Sequence, residues 1–172
     1  MNRADPADPG KPAWKTGERG REPLPLGGYA ALIGLFGASV AGLMAWAERE
    51  ERLLDEISAM DLLVLSVGSQ KLARMATKDR ISTVLRQPFT TYEGTETALP
   101  GETTESVRRD GSTLKQAVGE LVVCPFCMST WSATALMGTY LADRKFGRTL
   151  GAFLSVVSLA EVTQRAYAKL VG

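Results

Sequence analysis

The chain has 172 residues, with 20 Lys and Arg against 19 Asp and Glu, and a net charge of +1. That balance sets up no field to collect nucleic acid, and the length fits one domain plus a tail. There is no histidine, which removes the usual metal ligand and the usual general base at neutral pH; two cysteines alone cannot complete a four-ligand zinc site. Composition therefore calls for neither a cofactor nor a metal.

Residues 1–22 are polar, rich in Pro, Gly and charge, and lack apolar periodicity. They read as a disordered tail. Five basic residues lie in it: Arg3, Lys11, Lys15, Arg19 and Arg21. Residues 23–47 then carry no charge. At ~1.5 Å per residue a helix over 26–47 exceeds a hydrocarbon core of ~30 Å. It is too long for an ordinary signal-peptide core and reads as an anchor. Tyr29 and Trp46 stand near its two ends, as interfacial aromatics do. Ala30, Gly34, Ala38 and Gly42 recur every four residues, and such a smooth stripe lets a second helix come close in lipid.

The charged residues 48–56 end this span. Ser58 and Asp61 have the spacing of a helix N-terminal cap, and a second helix is expected over 60–77. Its uncharged part is short. Lys71, Arg74 and Lys78 share one face, where snorkelling to headgroups is the ordinary expectation. Pro88 halts any helix, and 86–113 reads as a mobile hydrophilic loop. Residues 121–142 lack charge and form another span. A charged turn is expected over 143–148 and a last helix over 149–170. Glu161 and Arg165 lie within it, one turn apart. An ionisable residue inside a span is expected to face protein or water, and either Arg165 or Lys71 and Arg74 could pair with Glu161.

The expected fold is an all-α integral membrane bundle over 23–172 with four transmembrane helices, embedded in the lipid bilayer. The basic tail favours a cytoplasmic N-terminus. Four spans then put the 86–113 loop and the C-terminus on the same side. Arg144, Lys145 and Arg148 oppose this, because their turn would face outward.

Cys124-Pro125-Phe126-Cys127 has the spacing that lowers a thiol pKa when the first cysteine starts a helix. A redox pair, a metal site shared between subunits and a structural pair at a helix mouth all fit the residues. A thioredoxin-like domain does not, because the segment after Cys127 holds no proline and reads as two membrane helices.

The ordered set Asp61, Lys71, Arg74, Lys78-Asp79, Leu85-Arg86-Gln-Pro88-Phe89 and Cys124-Pro125-Phe126-Cys127 with Trp131 resembles the bacterial domain-of-unknown-function family numbered 1360. Members often carry Gly between the second Cys and the Trp, where this chain has Met128-Ser-Thr130. The resemblance spans about 30–168. It implies a multi-pass protein of the bacterial cytoplasmic membrane, in a family that includes a small sporulation-associated membrane protein. It implies no reaction. The expected role is a structural or interaction component of the envelope, partnered by itself or by another membrane protein. The alternatives are a membrane thiol–disulfide oxidoreductase and a small transporter or lipid-handling protein.

Overall fold

The computed structural model describes residues 24–95 and 100–171; the basic tail lies outside them. Helix α1 (Leu26–Arg49) is followed by α2 (Ala59–Thr77), a 3-10 turn (Arg80–Ser82), the short α3 (Thr83–Arg86), strands β1 (Thr90–Gly94) and β2 (Thr104–Val107), α4 (Thr113–Val123), α5 (Pro125–Ala142) and α6 (Arg144–Val171).

The centre is a bundle of α2, α5 and α6, built on Leu65, Leu136, Tyr140 and Leu154. Ser58 starts α2 by accepting the Asp61 N–H at 3.0 Å, which satisfies one of the free donors of the first turn. Along α2 and α6 the contacts advance together. Asp61 pairs with Arg148, Val64 accepts from Ser155 at 2.8 Å, and Lys71 pairs with Glu161. These two helices are parallel. Gly68 and Gly151 let them cross closely: a Cβ on Gly68 would stand 3.0 Å from the Gly151 carbonyl. Helix α5 runs the other way, since Tyr140 near its end bonds Asp61 at the start of α2. Helix α1 runs with α5: Phe36 meets Trp131 edge-on at 5.2 Å, Leu43 touches Gly138, and Arg52 donates to the Ala142 carbonyl.

At 100° per residue, Leu32, Phe36, Val40, Leu43 and Ala47 form the inner face of α1, all buried or half-buried. Ala30, Gly34, Ala38 and Gly42 lie two positions away, on the opposite side. All four are exposed, and a Cβ on Gly34 or Gly42 would meet nothing within 4 Å.

Helix α1 is long and apolar enough to cross a membrane, and 6% of its apolar window is buried. Helices α4 and α5 reach that standard only together, and they are bent by 85°. The expected span over 121–142 is thus broken. Residues 121–123 end α4, and Cys124 is extended at φ −102°, ψ 104°. The cause is Pro125, which disfavours helical geometry in the residue before it and opens α5.

The expected charged turn over 143–148 is a single residue. The Asp143 N–H closes α5 by donating to Thr139 at 2.9 Å, while its carboxylate accepts the Phe146 N–H at 2.9 Å and starts α6. Helix α6 therefore begins at Arg144 rather than 149. Gly147 makes this sharp reversal possible: a Cβ there would lie 2.4 Å from the Tyr140 Cα.

The expected loop over 86–113 holds an antiparallel β1–β2 pair, with Thr90 opposite Val107 and Tyr92 opposite Glu105. Helix α4 seats against this pair through Gly119, where a Cβ would come within 2.7 Å of Val107.

Candidate functional site

The densest polar cluster lies where α2 ends and the hairpin begins. Arg86 closes α3 with its side chain 2% exposed, facing Glu105 at 3%. Its Nη2 donates to Glu105 Oε1 at 2.6 Å and to Thr103 Oγ1 at 3.0 Å. Its Nη1 donates to the Ala76 carbonyl at 2.9 Å and to Ser82 Oγ at 2.7 Å. Thr83 and Thr90 donate to the Glu105 carboxylate at 2.9 and 2.6 Å. Burial would raise the Glu105 pKa, but the hydrogen bonds from Arg86, Thr90 and Thr83 and the Arg86 charge outweigh it and bring the group down to about 2. A buried ion pair so completely satisfied ties α3 to both strands; it leaves no donor aimed at a ligand.

A second cluster joins α2, α6 and the hairpin approach. Lys71 is 2% exposed, pairs with Glu161 and stands 3.8 Å from Asp79. The snorkelling expected of Lys71 does not occur: its ammonium turns inward. Arg74 pairs with Glu102, and Arg165 lies 3.5 Å from Glu102 and 3.9 Å from Glu161. Of the three partners named for Glu161, Lys71 and Arg165 lie against it, while Arg74 turns to Glu102 instead. Burial, together with Glu161 and Glu102 nearby, raises the Asp79 pKa against the pull of Lys71 and Arg74.

The remaining motif residues take backbone and surface positions. The Lys78 carbonyl accepts the Thr103 N–H at 2.9 Å, and the Phe89 carbonyl accepts that of Arg108 at 2.9 Å. Leu85 is 75% exposed beside exposed Ile81 and Val84. At the opposite end of the bundle, Asp61 accepts from Tyr140 at 2.8 Å and stands 2.9 Å from Arg148.

At the mouth of α5, Cys124 Sγ accepts the Cys127 N–H at 3.3 Å. Both thiols are free; Cys127 is exposed and Cys124 half-buried. Beside them Tyr29 of α1 donates to Glu120 of α4. Trp131 packs on Phe36 as an anchor for α1. Among the described residues no cluster of three or more His, Cys, Asp or Glu could hold a metal ion.

The structure gathers Lys71, Arg74, Asp79, Arg86, Glu161 and Arg165 at one end, with the cysteines nearby on α5. Asp61 sits apart, at the other end. Sequence reasoning missed Thr83, Glu102, Thr103 and Glu105. The available signal was two β-prone runs, Thr90-Thr-Tyr92 and Thr103-Thr-Glu-Ser-Val107, separated by glycines and Pro100.

A family model described as "Protein of unknown function (DUF1360)" matches residues 64–167. The chain belongs to that family. The DUF1360 match takes in most of α2 and everything through Tyr167, so both ion clusters and the cysteine pair lie inside it, while α1 and Asp61 lie outside. Comparison with curated proteins and with solved structures returns no match.

Proposed function

We propose that this DUF1360 protein is a multi-pass protein of the bacterial cytoplasmic membrane and works as an interaction component of the envelope, offering the outer face of α1 to another membrane helix. The observation that carries the reading is the reversal of polarity in and around the bundle. Buried positions include Asp61, Ser69, Lys71, Ser132 and Ser155, whereas Ile33, Leu35, Leu62, Leu63, Phe153, Val156 and Leu159 are exposed. In water such an arrangement would waste apolar burial; in lipid it matches inside and outside to their surroundings.

Alternating helix directions favour four crossings, although among the described residues only α1, or α1 and the α4–α5 pair, is apolar enough to cross by composition, so α2 and α6 would cross against other helices. The 19 residues of α2 and 18 of α5 give about 27–29 Å, close to a hydrocarbon core. Alternating directions bring the start of α1, the hairpin and the end of α6 to one side. The basic tail adjoins that side, so it is the cytoplasmic one in this reading. Arg144, Lys145 and Arg148 then face outward, among Asp61 and Asp143. Exposed Ile81, Val84 and Leu85 would dip into the cytoplasmic headgroup layer.

The small-residue stripe of α1 faces away from its own bundle. Close backbone approach between membrane helices uses such a face. The test is cross-linking in native membranes of a Gly34→Leu, Gly42→Leu variant against wild type and an Ile33→Leu control. Loss of the cross-linked species in the stripe variant alone, with unchanged yield of folded monomer, is expected. Cross-linking that survives the stripe variant would overturn the reading.

A further inference from the structure

We infer that Cys124 and Cys127 form a thiol–disulfide exchange site, with Cys124 attacking and Cys127 resolving, for a disulfide carried on an apolar polypeptide segment. The geometry begins with the break in the chain between α4 and α5. Cys124 is the N-cap of an 18-residue helix, Pro125 occupies the first turn, and Cys127 completes that turn. The two thiols are thus held one helical turn apart, a separation that a disulfide can bridge without moving the helix. Cys124 Sγ already accepts the Cys127 N–H at 3.3 Å.

The two thiols are inequivalent. Cys124 is half-buried and its sulfur accepts the Cys127 N–H in the first turn of α5. Burial would raise its pKa, yet hydrogen bonds from the Cys127 side chain and from the Cys127 and Phe126 backbone, together with the Lys78 charge, hold it below the ordinary thiol value. A thiolate stabilised at a helix start is the nucleophile of such pairs. Cys127 is the more exposed and is placed to attack Cys124 from within the same turn.

The surroundings select an apolar substrate. Phe126, between the cysteines, is 87% exposed. Together with Pro125 it stands at one end of a groove of about 530 Å3 between α5 and α2, whose walls include Ala133, Met137, Leu62, Gln70 and Arg74 and neither cysteine. The hydroxyls along it do not reach into it: Ser66, Ser69, Ser129 and Thr130 donate to carbonyls of their own helices. The groove wall is therefore mostly alkyl, with Gln70 and Arg74 as its polar members, and it adjoins the thiols through Pro125 and Phe126.

The exchange balances without a further reagent. The Cys124 thiolate attacks one sulfur of the substrate disulfide, breaking that S–S bond and forming a mixed disulfide; the departing thiolate takes a proton from water. The Cys127 thiol then attacks Cys124 Sγ and gives its proton to the second departing sulfur. The substrate disulfide is reduced to two thiols, and Cys124 and Cys127 are oxidised to one disulfide. Only the direction of flow in the cell rests on the proposed topology, because a cytoplasmic position keeps the pair reduced and makes it the electron donor.

The full chain in detergent tests the site without reference to topology. The probes are a synthetic peptide with one disulfide flanked by Leu and Phe, and oxidised glutathione. Wild type is expected to lose two free thiols per chain with one intramolecular disulfide by mass, at least tenfold faster with the peptide. Cys127→Ser is expected to hold the peptide as a mixed disulfide on Cys124, while Cys124→Ser reacts at least tenfold more slowly. Three outcomes overturn the inference: a pair that stays reduced in excess peptide, adducts forming equally on either cysteine, or glutathione reacting as fast as the peptide.

Discussion

Helix α1 and the α2–α5–α6 bundle solve opposite problems. The bundle turns its polar residues inward and joins them to one another, so what defines it is internal. Helix α1 keeps one row on the bundle and leaves its smoothest row outside. The glycines make the contrast concrete. At Gly147, Gly68 and Gly119 an added Cβ collides with backbone or packed side chains, whereas at Gly34 and Gly42 it meets open space. Within α1 itself Gly28 is closed, a Cβ there lying 2.2 Å from the Thr113 carbonyl, so the open glycines are those of the outward row.

The largest effect should come from the centre of the polar network. Arg86→Met leaves the buried Glu105 carboxylate without its cation, and a loss of about 3–5 kcal/mol is expected, as for other buried pairs broken on one side. Denaturant titration in detergent, with proteolysis of the hairpin as a local readout, measures it. An Arg86→Met protein as stable as wild type would break the comparison.

Next is the helix reversal. Gly147→Ala forces a methyl onto the Tyr140 backbone, and about 1–3 kcal/mol should be lost, the usual range for overpacking. The same titration reads it. A smaller, graded effect follows acid. Glu105 ordinarily titrates at 4.5 and is held at about 2 in the fold. The stability it contributes is therefore complete above about pH 4.5 and is lost as pH falls toward 2. Only part is gone by pH 3. Stability measured from pH 6 to 3 should decline in wild type and stay flatter in an Arg86→Met, Glu105→Leu double variant. The smallest change is Gly34→Ala, whose methyl meets nothing in the chain; monomer stability should rise by no more than about 1 kcal/mol, the gain of Ala over Gly inside a helix.

The apolar blocks were legible because long helices write themselves in uninterrupted composition. Residues 26–47 fall within α1, and 60–77 differs from α2 by one residue. The cap at Ser58, the stop at Pro88 and the pairing of Glu161 were readable from local rules. The bend at Cys124 is half-written: a helix mouth at the cysteine pair is legible, but the apolar run continues through Pro125 and hides an 85° change of direction. The hairpin escaped because its strands are short and rich in Thr and Glu, which also suits a solvated loop. Burial turned that composition into the lining of the Arg86 site, and burial is a tertiary fact. The inward turn of Lys71 was hidden for the same reason, since a lysine stem that reaches headgroups and one that reaches a carboxylate share one helical spacing.

The one-residue link at Asp143 bears on how the bundle assembles. Closing a connection costs entropy that grows with its length, and here almost none is needed. Helices α5 and α6 can associate as soon as both exist, with Gly147 already against Tyr140. Helix α2 must wait for the chain to return through the hairpin and α4 before Lys71 finds Glu161, at a separation of 90 residues. The α5–α6 pair therefore closes at a smaller entropic cost than the pairing of α2 with α6.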